Sequence, residues 1–149
     1  PGNINELLSD CPKICDFISI DFDGDDYWVW KEMKTEGRVV LAEYHTALPN
    51  DIPLAIIPGK GGVYDESCKE TLEGYMLANL RAFYELAEKK GYKFCTTIGC
   101  NALFVLKEEF NKLEIPEISL EECIERYFCP MPYWWLHRDK SNREWIIPE

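Results

Sequence analysis

Histidine is scarce in this sequence, and basic charge is outnumbered. Only His45 and His137 occur in 149 residues, and no HxH or HExxH spacing joins them. That absence argues against a stand-alone metal-dependent hydrolase working through Asp21, Asp23 and His45. Lysine and arginine number 16 against 27 acidic side chains, for a net charge of -11, and they form no run. Such a surface repels phosphate backbones, so nucleic acid is not an expected partner. Long apolar runs are missing as well. No stretch approaches the ~18 residues that span a bilayer, and no signal-peptide pattern opens the chain, so neither a membrane association nor export is expected. Internal repeats and low-complexity segments are also absent.

Cysteine is not scarce, but it lacks pattern. Seven stand at positions 11, 15, 68, 95, 100, 123 and 129, an odd number at irregular spacings. CPKIC at 11–15 has no second pair at zinc-finger spacing. Reduced thiols in a cytoplasmic protein are therefore expected. PGKGG at 58–62 is glycine-rich yet falls short of the phosphate-loop pattern and reads as a flexible loop. Hydrophobic residues at 46% and charged residues at 29% describe a chain able to bury a core.

Along the chain, Asn3–Leu8 suits a short helix, and DFISID at 16–21 reads as a buried strand. A helix is expected from Asp25 to Glu36, capped by Asp25 or Asp26 and stopped by Gly37. Tyr27, Trp28 and Trp30 would pack it onto a sheet. RVVLAEY at 38–44 reads as a second buried strand, with Phe17, Ile18, Val39 and Val40 all in the core. A long loop follows from Leu48 to Cys68. Apolar residues at spacings of three and four predict a helix from about Leu72 to Lys90, ended by Gly91. YKFCTTIG and NALFVLKEE, at 92–99 and 101–109, form an expected antiparallel hairpin turning at Gly99-Cys100. A short helix at 120–127 and a tail rich in proline and tryptophan close the chain. Tyr133, Trp134, Trp135 and Trp145 in that tail either form a partner surface or fold back over the sheet.

This order makes the class α/β with a parallel strand pair. Ligands of open α/β sheets gather at the carboxyl ends of the strands. The acidic stretch SIDFDGDDYWVWKEM (19–33) and Glu43-Tyr44-His45 would meet there. Asp21, Asp23, Asp25 and Glu32 match positions 1, 3, 5 and 12 of an EF-hand, but Asp26 stands where that loop needs glycine. A looser divalent-cation site of Asp21 or Asp23 with Glu43 and His45 is the alternative. A carboxylate there can also orient a substrate or take a proton, and His45 is the better base by intrinsic pKa.

Three ordered segments carry a family resemblance: DFISIDFDGDDYWVWKEM, then RVVLAEYHTALP, then GYMLANLRAFYELAEKKGYKFCTTIGCNALFVLKEEF. Together, from about Asn3 to Phe110, they resemble the latter half of FkbM-like, class I S-adenosylmethionine-dependent methyltransferases. The resemblance implies part of a Rossmann-like methyltransferase sheet. Residues 16–21 would be its fourth strand, 38–43 its fifth, and the hairpin its sixth and seventh. It also implies a division into 1–112, the C-terminal half of the domain, and 113–149, an extension. It places Asp21 and Asp23 at the family's active-site edge, with Glu43 and Asn101 near it as substrate contacts; together with His45, chosen for its intrinsic pKa, the two aspartates are the expected catalytic residues. Relatives often carry Asn where Asp25 and His45 stand. The glycine-rich loop and the acidic ribose ligand of the family are not in this sequence, so no cofactor residue is assigned. S-adenosylmethionine binding is then expected only with an N-terminal half or partner chain. The competing expectation is a non-catalytic domain of the same fold that binds a partner or dimerises through the strand at 16–21, whose edge would be unpaired.

Overall fold

The computed structural model describes residues 1–46, 48–60, 76–127 and 144–149. Its elements run α1 (Ile4–Leu7), β1 (Ile14–Ile20), α2 (Asp26–Glu32), β2 (Glu36–Glu43), β3 (Ala55–Ile56), α3 (Leu80–Lys89), β4 (Tyr92–Ile98), β5 (Asn101–Leu106), α4 (Lys107–Phe110), α5 (Leu120–Tyr127) and β6 (Trp145–Ile146). The fold is mixed α/β. Four strands form one sheet in the order β1-β2-β5-β4, and β3 pairs with β6 in a separate antiparallel ribbon. β1 and β2 are parallel and joined through α2. β5 lies antiparallel to both of its neighbours, β2 and β4. Gly99 and Cys100 make a two-residue hairpin loop in which Gly99 alone of the pair has positive φ, at 61°. A loop with positive φ at its first residue favours glycine there.

The core is aromatic and lies on one face of the sheet. Alternation along the paired strands puts Ile20, Ala42 and Ala102 together on that face, with Val40, Phe104 and Phe94 in the next row. Trp30 of α2 is 1% exposed and meets Phe104 at 4.9 Å, Tyr92 at 5.5 Å and Phe83 of α3 at 6.2 Å between ring centroids. Such ring pairs add about 0.5–1.5 kcal/mol each beyond their buried area. The opposite face is barer. Phe17 is 54% exposed, while Val39, Leu41 and Leu103 are half-buried.

Asn79 fixes the start of α3. Its Oδ1 accepts the Ala82 and Leu54 N–H groups, and its Nδ2 donates to the Pro49 and Ile52 carbonyls. One fully buried amide thus caps the helix and pins the 49–54 segment to it. Gly91, at φ 82°, ends α3 as the left-handed residue past a helix.

Several sequence expectations are corrected. The strand at 16–21 is an edge strand rather than a buried one, and begins earlier, at Ile14. Phe17 is exposed and Ile18 and Val39 only half-buried, which leaves Val40 as the one core residue of the four. An apolar run marks a strand, but which of its faces is covered depends on where the helices land. α2 stops at Glu32 because Met33 is already extended, with ψ 126°. Gly37 is therefore not a helix stop; it lies inside β2. A Cβ there would sit 2.8 Å from the Val39 carbonyl oxygen and 3.0 Å from Ile18 Cγ1, so the strands' close approach needs glycine. α3 starts at Leu80, with residues 76–79 outside any helix, and 72–75 lie outside the described residues. The second hairpin strand ends at Leu106 and gives way to α4. The long loop contains β3, both residues of which are buried. Gly61, Gly62 and Tyr133, Trp134 and Trp135 lie outside the described residues. Among the described residues no helix is long and apolar enough to cross a membrane, and Cys11, Cys15, Cys95, Cys100 and Cys123 are free thiols.

Candidate functional site

β1 and β2 run parallel, so their carboxyl ends lie side by side. The turn after β1 carries Asp21 and Asp23, β2 ends on Glu43, and β5 begins opposite it with Asn101. Asp21, Asp23 and Glu43 each bring a carboxylate oxygen within 4.8 Å of the others. The two aspartates are exposed and Glu43 is half-buried.

Two sets of bonds hold this edge in place. On the β1 side, the fully buried Asp26 turns its carboxylate back over the loop. It accepts the Phe22 N–H at 3.0 Å and the Gly24 N–H at 3.1 Å. The Gly24 carbonyl accepts the Leu77 N–H, and Asp25 Oδ1 accepts the Gly59 N–H. Asp23 adopts φ 54°, a left-handed conformation that a short polar side chain tolerates better than most. Asp25 thus begins α2 without a side-chain cap. Helix capping, expected of Asp25 or Asp26, is replaced by loop anchoring. On the β2 side, the Tyr44 N–H donates to the Cys100 carbonyl at 2.8 Å and the Tyr44 hydroxyl donates to the Gly99 carbonyl at 3.3 Å. The hairpin turn is thereby fastened to the end of β2.

The electrostatics follow from crowding. Burial pushes the Glu43 carboxyl above its ordinary value, and Asp21, Asp26 and Asp23 push it further, while a bond from the Cys100 thiol opposes them. The Cys100 thiol is pushed up to about 11, by burial first and then by Glu43, so at neutral pH it is a protonated donor. Asn101 Nδ2 lies 3.7 Å from the Cys100 sulfur as a weak donor to it. Burial also raises Asp26, against its two backbone donors. The edge therefore holds exposed carboxylates beside one that binds a proton more readily than usual. A group of this kind can orient a polar substrate, and it can exchange a proton with it. Three oxygen donors at this spacing also suit a hard divalent cation.

His45 is placed elsewhere. It is 8% exposed, its backbone N–H donates to the Ala78 carbonyl, and its ring stands edge-on to Trp145 at 5.8 Å. Among the described residues, the three-carboxylate group does not include it. The structure thus brings together Asp21, Asp23, Glu43 and Asn101, with His45 beneath the C-terminal strand. Cys100 and Asp26 were missed from sequence. Cys100 was findable, because a hairpin turning at Gly99-Cys100 must deliver it to the edge that holds Asn101. Asp26 was not, since an acidic residue before a helix first suggests a cap.

The described residues do not fit S-adenosylmethionine by themselves. Gly24 is the one glycine in the β1–α2 turn, and its N–H is committed to Asp26 and its carbonyl to Leu77. A comparison of the chain with protein-family models, curated proteins and solved structures returned no match.

Proposed function

We propose that these residues are the acceptor side of a methyltransferase-like domain of Rossmann-like type, whose S-adenosylmethionine is held by elements outside this sequence. The observation that carries the reading is the meeting of Asp21, Asp23 and Glu43 at the carboxyl edge of a parallel pair. The antiparallel hairpin beside that pair, matching the mapped sixth and seventh strands, supports it. Asp21 and Asp23 orient an acceptor hydroxyl or amine, Asn101 borders it, and Glu43 takes or holds its proton. A divalent cation on the three carboxylates is a second way to hold the acceptor. His45, covered by Trp145, has a supporting role in this arrangement.

Calorimetry with S-adenosylmethionine tests the reading. The chain alone is expected to give no heat of binding, and an assembly of the chain with any co-purifying chain to bind. In that assembly Asp21→Asn and Glu43→Gln each lower methyl transfer at least tenfold, about 1.4 kcal/mol in barrier, without loss of cofactor binding. Binding by the isolated chain would overturn the proposal, and so would full activity of both variants. The bare edge of β1 favours a second reading, a non-catalytic domain that binds a partner. Absence of cofactor binding by every assembly of the chain would support it.

A further inference from the structure

The edge of β1 is a built acceptor for another strand. The Glu36 N–H donates to the Lys13 carbonyl, so the Lys13 carbonyl points toward β2. Backbone groups alternate sides along a strand, and those of Ile14, Asp16, Ile18 and Ile20 therefore point away from the sheet. Among the described residues no strand pairs with that side. Nothing in β1 blunts it either. It is a regular seven-residue strand without proline, and its register with β2 carries no bulge. Ile14 and Phe17 of β1 and Phe22 just after it are apolar and more than half exposed.

Charge chooses the occupant. Glu6, Asp10, Asp16, Asp21 and Asp23 are exposed along and beyond both ends of β1, against two exposed cations, Lys13 and Arg38, the latter 3.3 Å from Asp16. A second copy of this chain would bring the same five carboxylates to the interface, on a molecule of net charge -11. Like charges at that separation oppose edge-to-edge pairing. We propose that β1 binds an extended segment of a different polypeptide, apolar on alternate residues and flanked by lysine or arginine. Its main chain extends the sheet beyond β1. Its apolar side chains cover Phe17, and its basic flanks meet Asp10 at one end or Asp21 and Asp23 at the other. The inference rests on the second reading, the partner-binding domain, because in a complete methyltransferase-like sheet the missing strands would take this edge.

The test uses the full chain and two synthetic peptides with the same alternating Val-Thr centre, one flanked by lysines and the other by glutamates. In fluorescence anisotropy the lysine peptide should bind about tenfold or more tightly than its twin. The difference should shrink at high salt, as screened charges require. On binding, hydrogen exchange should slow at the amides of Ile14, Asp16, Ile18 and Ile20. Asp16→Pro removes one outward N–H without breaking the β1–β2 ladder, and should abolish binding, whereas Asp16→Asn should retain it. Should Asp16→Pro fail to fold by circular dichroism, the exchange data on the unaltered chain decide. Equal binding of both peptides, binding without protection of those amides, or no binding would overturn the proposal. Sedimentation showing a dimer that Asp16→Asn preserves and Phe17→Thr dissolves would overturn it too, in favour of a second copy.

Discussion

The two edges of the same sheet are finished differently. β4 is irregular and covered. Its register slips between Phe94 and Thr96, and Leu120 and Cys123 of α5 enter the core beside it. Lys93 reaches Glu88 at 3.2 Å and Glu117 at 2.6 Å. A bulge, a lysine and a covering helix are three of the means by which sheets close their edges. β1 has a straight ladder, an exposed Phe17 and outward amides among carboxylates. Among the described residues, one edge is thus closed and the other is left fit for pairing.

That contrast can be broken or sharpened in a series of substitutions. Trp30→Ala strikes the aromatic cluster beneath both edges and should cost about 3–5 kcal/mol, read from denaturant melts. Leu120→Ala uncovers β4 and should cost about 2–4 kcal/mol, with faster hydrogen exchange in β4 and none of that change in β1. Asp26→Ala leaves the Phe22 and Gly24 N–H groups without their acceptor. It should cost about 1–3 kcal/mol and release the loop that carries Asp21 and Asp23, seen as faster exchange at those two amides. Phe17→Thr on the open side should change stability by no more than about 0.5 kcal/mol. A loss as large as that at Leu120 would mean that β1 is covered after all.

The smallest effect is a pH dependence at the site. Glu43 has its folded-state pKa raised above the ordinary 4.5, chiefly by burial, so the native state binds this proton more tightly than the unfolded chain. Stability contributed by the protonated form is full below 4.5 and falls as pH rises through the raised value. Glu43→Gln should therefore stabilise the protein at neutral pH, and its advantage should vanish below pH 4.5. Thermal melts of both proteins across that range check the sign.

Local chemistry was well legible in the sequence. Gly91, the Gly99-Cys100 turn, the hairpin and the helix at 120–127 all rest on neighbours in the chain, and the structure places them where those signals stand. The aromatic triplet of α2 was legible too, because Tyr27, Trp28 and Trp30 must be buried somewhere and the sheet is the nearest apolar surface. The carboxylate edge was legible in part: parallel strands put Asp21 and Glu43 at one end, whatever their side chains do there. The failures have two causes. Phe17 and His45 owe their state to residues distant in sequence, and Gly37 and Asp26 to a close fit that no propensity rule records. For Phe17 it is the face left bare by α2 and α3. The Val39 carbonyl and Ile18 crowd Gly37, the Phe22 and Gly24 N–H groups of its own turn hold Asp26, and Trp145 meets His45 from far along the chain.

By itself, then, the sequence determined the acidic character, the four strands of the main sheet and the carboxylates at a parallel strand end. These follow from composition, periodicity and turn chemistry, which act over a few residues. Only the tertiary structure decided which face of β1 is bare, which edge is closed and which carboxylate is buried. Burial is settled by what packs above a residue, and no short window of sequence contains that neighbour.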